Sequence, residues 1–124
     1  MANAQSSGIV AVIDDDADMR DVICDLLQSE GHVTEAYESG VAFLREGGDR
    51  RAACIVVDQD MPGMTGEALI QELATRGSEA PALLITGDPG MLLLATAGKT
   101  GDMTVMAKPM RRHAFLNFVS LAAA

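Results

Sequence analysis

Three carboxylates, a hydroxyl and an ammonium stand where this sequence could do chemistry. Each closes an apolar run. GIVAVI (8–13) runs into Asp14 and Asp15, ACIVV (53–57) into Asp58, ALLIT (82–86) ends on Thr86, and MTVMA (103–107) runs into Lys108, one of only two lysines in the chain. If the first and third runs are neighbouring strands, the three carboxylates lie within a few ångströms of one another. Two like charges ~4 Å apart repel by about 4 kcal/mol at an effective dielectric of 20. A fold worth roughly 5–15 kcal/mol in total does not hold such a cluster uncompensated. Lys108 is one candidate counter-charge. A divalent ion is the other, and oxygen ligands on a rim open to water suit Mg²⁺. Taken singly, these residues have ordinary explanations. Asp16 and Asp18 can cap a helix and complement its dipole, a strand-end lysine is usually solvated, and a threonine hydroxyl is readily satisfied. Their joint position at matching strand ends favours a site.

Elements that could place these groups alternate along the chain. The run at 8–13 suits a strand buried on both faces. A helix follows, capped by Asp16 or Asp18, with Met19, Val22, Ile23, Leu26 and Leu27 in one stripe, and Gly31 ends it. HVTEAY (32–37) reads as an edge strand. Ser39 can cap a short helix closed by Gly47 and Gly48. After the buried strand 53–57, Gly66 opens a helix carrying Leu69, Ile70 and Leu73. After 82–86, Gly87, Asp88 and Pro89 offer a turn, a cap and a first helical proline for a helix to about Gly98. The chain closes with a strand at 103–107 and a helix with Phe115, Phe118, Val119 and Ala122 inward. Five strand–helix units with short connections imply a doubly wound α/β fold, a parallel five-stranded sheet between two helical layers. Functional groups in such sheets gather beyond the carboxyl ends of the strands.

Bulk properties narrow the function. At 124 residues there is room for one domain, expected over 8–124 behind a flexible tail at 1–7. A net charge of −9 disfavours direct nucleic-acid binding. The sequence shows no membrane span or secretory leader, and a cytoplasmic location is expected. Cys24 and Cys54 sit apart in apolar surroundings and read as buried thiols, and His32 and His113 show no metal-ligand spacing.

Over nearly its whole length the chain resembles the receiver domains of bacterial two-component response regulators. The acidic pair appears as VIDDD, the phosphoacceptor segment as DQDMPGMTG, the strand-four hydroxyl as LLITG and the Lys-Pro pair as MAKPM. All four in this order and spacing are specific to the family. The resemblance implies the flavodoxin-like strand order 2-1-3-4-5 and a cis bond before Pro109. It implies that Asp58 accepts a phosphoryl group from a sensor histidine kinase, a phosphotransfer protein or a small donor such as acetyl phosphate. Mg²⁺ would be held by Asp15, Asp58 and the backbone carbonyl of Asp60, with Asp14 supporting through water. Thr86, Lys108 and backbone N–H groups near Gln59 and Gly87 would bind the phosphoryl oxygens. Asp60 and Asp88 occupy positions that tune phosphoryl lifetime. The implied role is a signalling phosphoacceptor, not a turnover enzyme.

One departure stands out. The family usually carries Tyr or Phe three residues before the lysine, and this chain has Val105. A stiff, short side chain cannot repeat the aromatic swing, so the switch would instead be read by Thr86 and the segment after it. Met91, Leu92, Leu93 and Leu94 cover most of a helix circumference. Some of that surface is therefore expected to face a homodimer partner or effector, on a face made by helix 88–98, strand 103–107 and helix 111–122. Two rival readings remain. VVDQDMPG also fits the opening motif of haloacid-dehalogenase-type phosphatases, although Asp14 and Asp15 precede it rather than follow. A receiver-like interaction module not switched by phosphate is the other. A nucleotide- or flavin-binding protein would need a glycine-rich loop after the first strand, which is missing.

Overall fold

A computed structural model describes residues 8–88 and 103–123. Its strands are β1 (Ile9–Ile13), β2 (Val33–Tyr37), β3 (Ala52–Asp58), β4 (Ala82–Thr86) and β5 (Met103–Ala107). The described helices are α1 (Ala17–Ser29), α2 (Gly40–Arg45), α3 (Gly48–Arg51), α4 (Gly66–Thr75) and α5 (Arg112–Ala122). All strand pairs are parallel, in the order β2-β1-β3-β4-β5. The flavodoxin-like order expected from the family resemblance is therefore present.

Alternation along the strands divides the core into two layers. Ala11, Ile13, Ile55, Val57 and Leu84 face one way and pack with Phe43, Leu69 and Leu73 from α2 and α4. Val10, Val12, Cys54, Val56, Leu83 and Ile85 face the other way and meet Ile23 and Leu27 of α1 and Phe115 and Val119 of α5. Burying a side chain of this size contributes roughly 1.5–3 kcal/mol. The central strands β1, β3 and β4 are thus fixed on both faces, and their carboxyl ends inherit that rigidity.

Caps set the helix starts. The Asp16 carboxylate accepts from the Asp18 and Met19 amides, and the Ser39 hydroxyl accepts from the Ala42 amide. Gly31, at φ 89°, takes the left-handed conformation that ends α1. Two details differ from the sequence expectation. Val22 lies on the apolar stripe of α1 yet is 62% exposed, because the stripe is wider than the contact with the sheet. A one-turn helix, α3, follows Gly47; a Cβ on Gly48 would stand 2.5 Å from the Phe43 ring, so only glycine lets this turn pack there. The expected helix from 88 to 98, with Met91 to Leu94, lies largely outside the described residues, as does the tail at 1–7. Among the described residues, no helix is long and apolar enough to cross a membrane.

Candidate functional site

Register brings the site together. Ile13 pairs with Val57, so Asp14 and Asp58 follow on adjacent strands; Asp58 pairs with Ile85, beside Thr86, and Thr86 pairs with Ala107, beside Lys108. Carboxylate oxygens of Asp14, Asp15 and Asp58 lie within 4.8 Å of one another. Asp14, Asp58 and Thr86 are buried, whereas Asp15 is exposed. The cluster is therefore walled by protein on one side and open to water on the other. Hard oxygen donors with an open face fit a magnesium ion that keeps part of its water shell.

Lys108 supplies the protein's own counter-charge. Its Nζ lies 2.9 Å from Asp58 Oδ1. Burial alone would lower the Lys108 pKa, but its hydrogen bond to Asp58 and the charges of Asp58, Asp14 and Asp60 outweigh that and raise it. The Asp14 pKa is raised as well, which for an acid disfavours the charged form. Burial raises its pKa, the Asp16 amide donating to Oδ1 at 2.9 Å partly offsets this, and the nearby Asp58 charge raises it again. Burial and the Asp58 charge thus disfavour the ionised form of Asp14.

Thr86 is anchored from both sides. Its carbonyl accepts from the Lys108 amide at 2.8 Å, and its Oγ1 accepts from the Asp88 amide at 3.0 Å. That arrangement leaves the hydroxyl proton available for donation. Asp60 and Asp88 are both exposed at the rim. The peptide bond between Lys108 and Pro109 is cis, as the family resemblance implied. Val105 is half-buried, pairs with Leu84 and packs against the core layer of α4. An apolar groove of about 630 Å³ opens beside Asp14 and Lys108, between Met19, Val22 and Leu26 of α1 and Phe115 of α5.

Two contributors escaped the sequence reading. The Arg20 guanidinium donates at 2.7 Å to the Asp14 carbonyl oxygen and pins the turn that presents the acidic pair. Its signal was available: a cation near a helix N-terminus opposes the helix dipole and therefore wants a partner. The Gln59 side chain accepts from the Glu67 amide at 2.7 Å, and nothing local in the sequence announces that bond. Burial raises the pKa of both thiols, that of Cys54 to about 12; Cys54 is buried as expected, whereas Cys24 is only half-buried because it lies at the edge of the layer under α1.

Comparison with known proteins gives the same picture. The family described as "Response regulator receiver domain" matches residues 10–120. Transcriptional regulatory protein FixJ of Azorhizobium caulinodans is 37% identical over 100 residues, 81% of this chain and 47% of that protein. Response regulator protein TmoT of Ectopseudomonas mendocina is 28% identical over 120 residues, 97% of this chain and 54% of that protein. The chain thus spans about half the length of these relatives. Among solved structures, response regulator StyR superposes with a TM-score of 0.81 at 28% identity, covering 95% of this chain and 60% of that one. The Vibrio cholerae chemotaxis protein CheY4 does so with a TM-score of 0.79 at 22% identity, covering 94% and 99% respectively, a likeness of fold. The chain belongs to the response regulator receiver domain family of two-component signalling systems.

Proposed function

We propose that this domain takes a phosphoryl group onto Asp58 from the phosphohistidine of a sensor histidine kinase or phosphotransfer protein, or from a small donor such as acetyl phosphate. The observation that carries the reading is a buried strand-end carboxylate held at 2.9 Å by Lys108 and ringed by Asp14 and Asp15 within 4.8 Å. Asp58 Oδ1 is engaged by Lys108 and, at 3.4 Å, by the Asp60 amide. Among the described residues Oδ2 accepts no hydrogen bond, and it is the oxygen left to attack. A new P–O bond forms as the bond from phosphorus to the donor breaks, and the donor atom leaves with the electron pair. Asp15, Asp58 and the Asp60 carbonyl would hold Mg²⁺, with Asp14 supporting through water, and the ion when bound screens the approach of one anion to another. Lys108 then turns its ammonium to a phosphoryl oxygen, and Thr86 donates its hydroxyl proton to a second. Asp60 and Asp88 set the approach of water that later hydrolyses the acyl phosphate.

The product of this step is a changed surface rather than a released metabolite. Thr86 is drawn toward the phosphoryl group, and the motion passes to β5 at Ala107 and Val105. With valine in place of an aromatic ring, the readout lies in the segment that follows Thr86. A homodimer partner or effector would meet the face on which β5 and α5 lie.

Acetyl phosphate with Mg²⁺, followed by intact mass and by p-nitrophenyl phosphate turnover, tests the reading. One phosphoryl group per chain, stable in acid, labile in base and absent from Asp58→Asn, is expected. Repeated turnover of p-nitrophenyl phosphate would instead indicate a dehalogenase-type phosphatase, and no uptake would indicate an interaction module.

A further inference from the structure

The loop from Gln59 to Thr65 carries the Asp60 carbonyl and is exposed at its tip. It contains Pro62 and Gly63, the latter at φ 80°, and both are exposed. One residue gathers its ends. The Gln59 amide donates to Ile85 O on β4 at 2.8 Å, and the Gln59 carbonyl accepts from the amides of Met61 at 3.1 Å and Gly66 at 3.3 Å. The Gln59 Oε1 accepts from the Glu67 amide at 2.7 Å. The first amides of a helix lack partners within it. Here the Gly66 and Glu67 amides of α4 are satisfied by the residue directly after Asp58, and only the Ala68 amide uses the adjacent cap, Thr65, at 3.2 Å. Gly66 permits this approach, since a Cβ there would lie 2.7 Å from Asp58 O.

We propose that Gln59 is a positioning residue whose carboxamide ties the loop after Asp58 to the start of α4 and so holds the Asp60 carbonyl on the metal edge. This rests on the phosphoacceptor reading above, and goes beyond it by assigning a role to a side chain that touches neither phosphoryl group nor metal. Thr65 is the internal control. Gln59 and Thr65 each give one side-chain acceptor to the same helix N-terminus, but only Gln59 also belongs to the phosphoacceptor turn.

The test compares Gln59→Met and Thr65→Val, each close in shape to the original and each removing one acceptor. Mg²⁺ affinity is read by calorimetry, and backbone amide exchange by nuclear magnetic resonance. Gln59→Met is expected to bind Mg²⁺ about tenfold more weakly, the lower end for losing a hydrogen bond behind a metal ligand. Thr65→Val is expected to change Mg²⁺ affinity far less than Gln59→Met, since the Thr65 bond joins the last loop residue to α4 and does not reach the turn after Asp58. An unchanged affinity in Gln59→Met, or equal losses in both variants, overturns the proposal. If the parent takes up no Mg²⁺, the phosphoacceptor reading fails separately and amide exchange decides. Loss of protection at Met61, Gly66 and Glu67 in Gln59→Met alone supports the tie, and equal protection in the two variants refutes it. Gln59→Glu keeps an acceptor oxygen and serves if Gln59→Met does not fold. It is expected to bind Mg²⁺ no more weakly than the parent, and a tenfold loss overturns the proposal.

Discussion

Asp14→Asn should stabilise the metal-free protein and lose that advantage once Mg²⁺ is added. Asparagine keeps the oxygen that accepts from the Asp16 amide but removes one charge from the cluster. At the 4.8 Å limit that bounds the carboxylates, one like-charge pair costs about 3.5 kcal/mol at an effective dielectric of 20. Lys108 offsets part of that, although an ammonium 36% exposed is partly screened. A net gain of about 1–2 kcal/mol follows, a rise of roughly 4–8 °C in the melting midpoint for a domain of this size. The pH dependence has a definite sign. Asp14 is an acid whose folded pKa is raised, chiefly by burial and then by Asp58. Its charge therefore destabilises the fold increasingly as pH rises from about 3.9, the unfolded value, through the raised folded value. The advantage of Asp14→Asn should be full above the raised folded value and vanish below about pH 4. Thermal unfolding followed by circular dichroism, in EDTA and in Mg²⁺, reads all of this. Saturating Mg²⁺, at 100 times its Kd, adds about 2.7 kcal/mol to the parent and less to the variant. A lower midpoint for Asp14→Asn in EDTA, or equal Mg²⁺ stabilisation of the two proteins, would refute the reasoning.

Other outcomes follow from the same geometry. Lys108→Met leaves Asp58 buried without its partner and should destabilise the metal-free domain by about 1 kcal/mol, discounted for exposure; urea denaturation measures it, and phosphorylation by acetyl phosphate should fall sharply in the same variant. In Gly66→Ala the new methyl would stand 2.5 Å from Leu84 Cδ1 and 2.7 Å from Asp58 O. The backbone oxygen cannot yield as a side chain would, so about 1–3 kcal/mol should be lost, and a melting midpoint equal to the parent's would contradict the packing. Cys54, fully buried with its pKa pushed up to about 12, should resist iodoacetamide at pH 8 in the native state; peptide mass spectrometry should find any adduct on Cys24, and early labelling of Cys54 would show the central sheet to be open.

Much of this site is legible in the sequence because its residues close uninterrupted apolar strands. A buried parallel strand shows as a run such as IVAVI or ALLIT, and the residue after it is by construction at the functional edge. Asp14, Asp58, Thr86 and Lys108 can therefore be placed at that edge from the runs alone, while the strand order that makes them neighbours comes from the family resemblance. The caps at Asp16 and Ser39 are legible for a similar reason, since capping depends on neighbours two or three positions away. Gln59 is not, because its side chain reaches the Glu67 amide across a loop whose path no local rule fixes. The one-turn helix α3 is equally hidden. It exists because Gly48 fits against Phe43 and Tyr37, a tertiary condition in a stretch, GGDRR, that reads locally as a helix stop. Val22 shows the limit of periodicity, which says which residues share a stripe but not how wide the contact beneath it is.

The central claim is that the carboxylate held by Lys108 and ringed by Asp14 and Asp15 is the one that accepts phosphate. Borohydride reduction after treatment with acetyl phosphate and Mg²⁺ cleaves an acyl phosphate and converts the aspartate that bore it to homoserine, which peptide mass spectrometry locates. The account predicts homoserine at position 58 alone. Homoserine at position 14, 15 or 60, or a phosphorylated chain with none at 58, would contradict it.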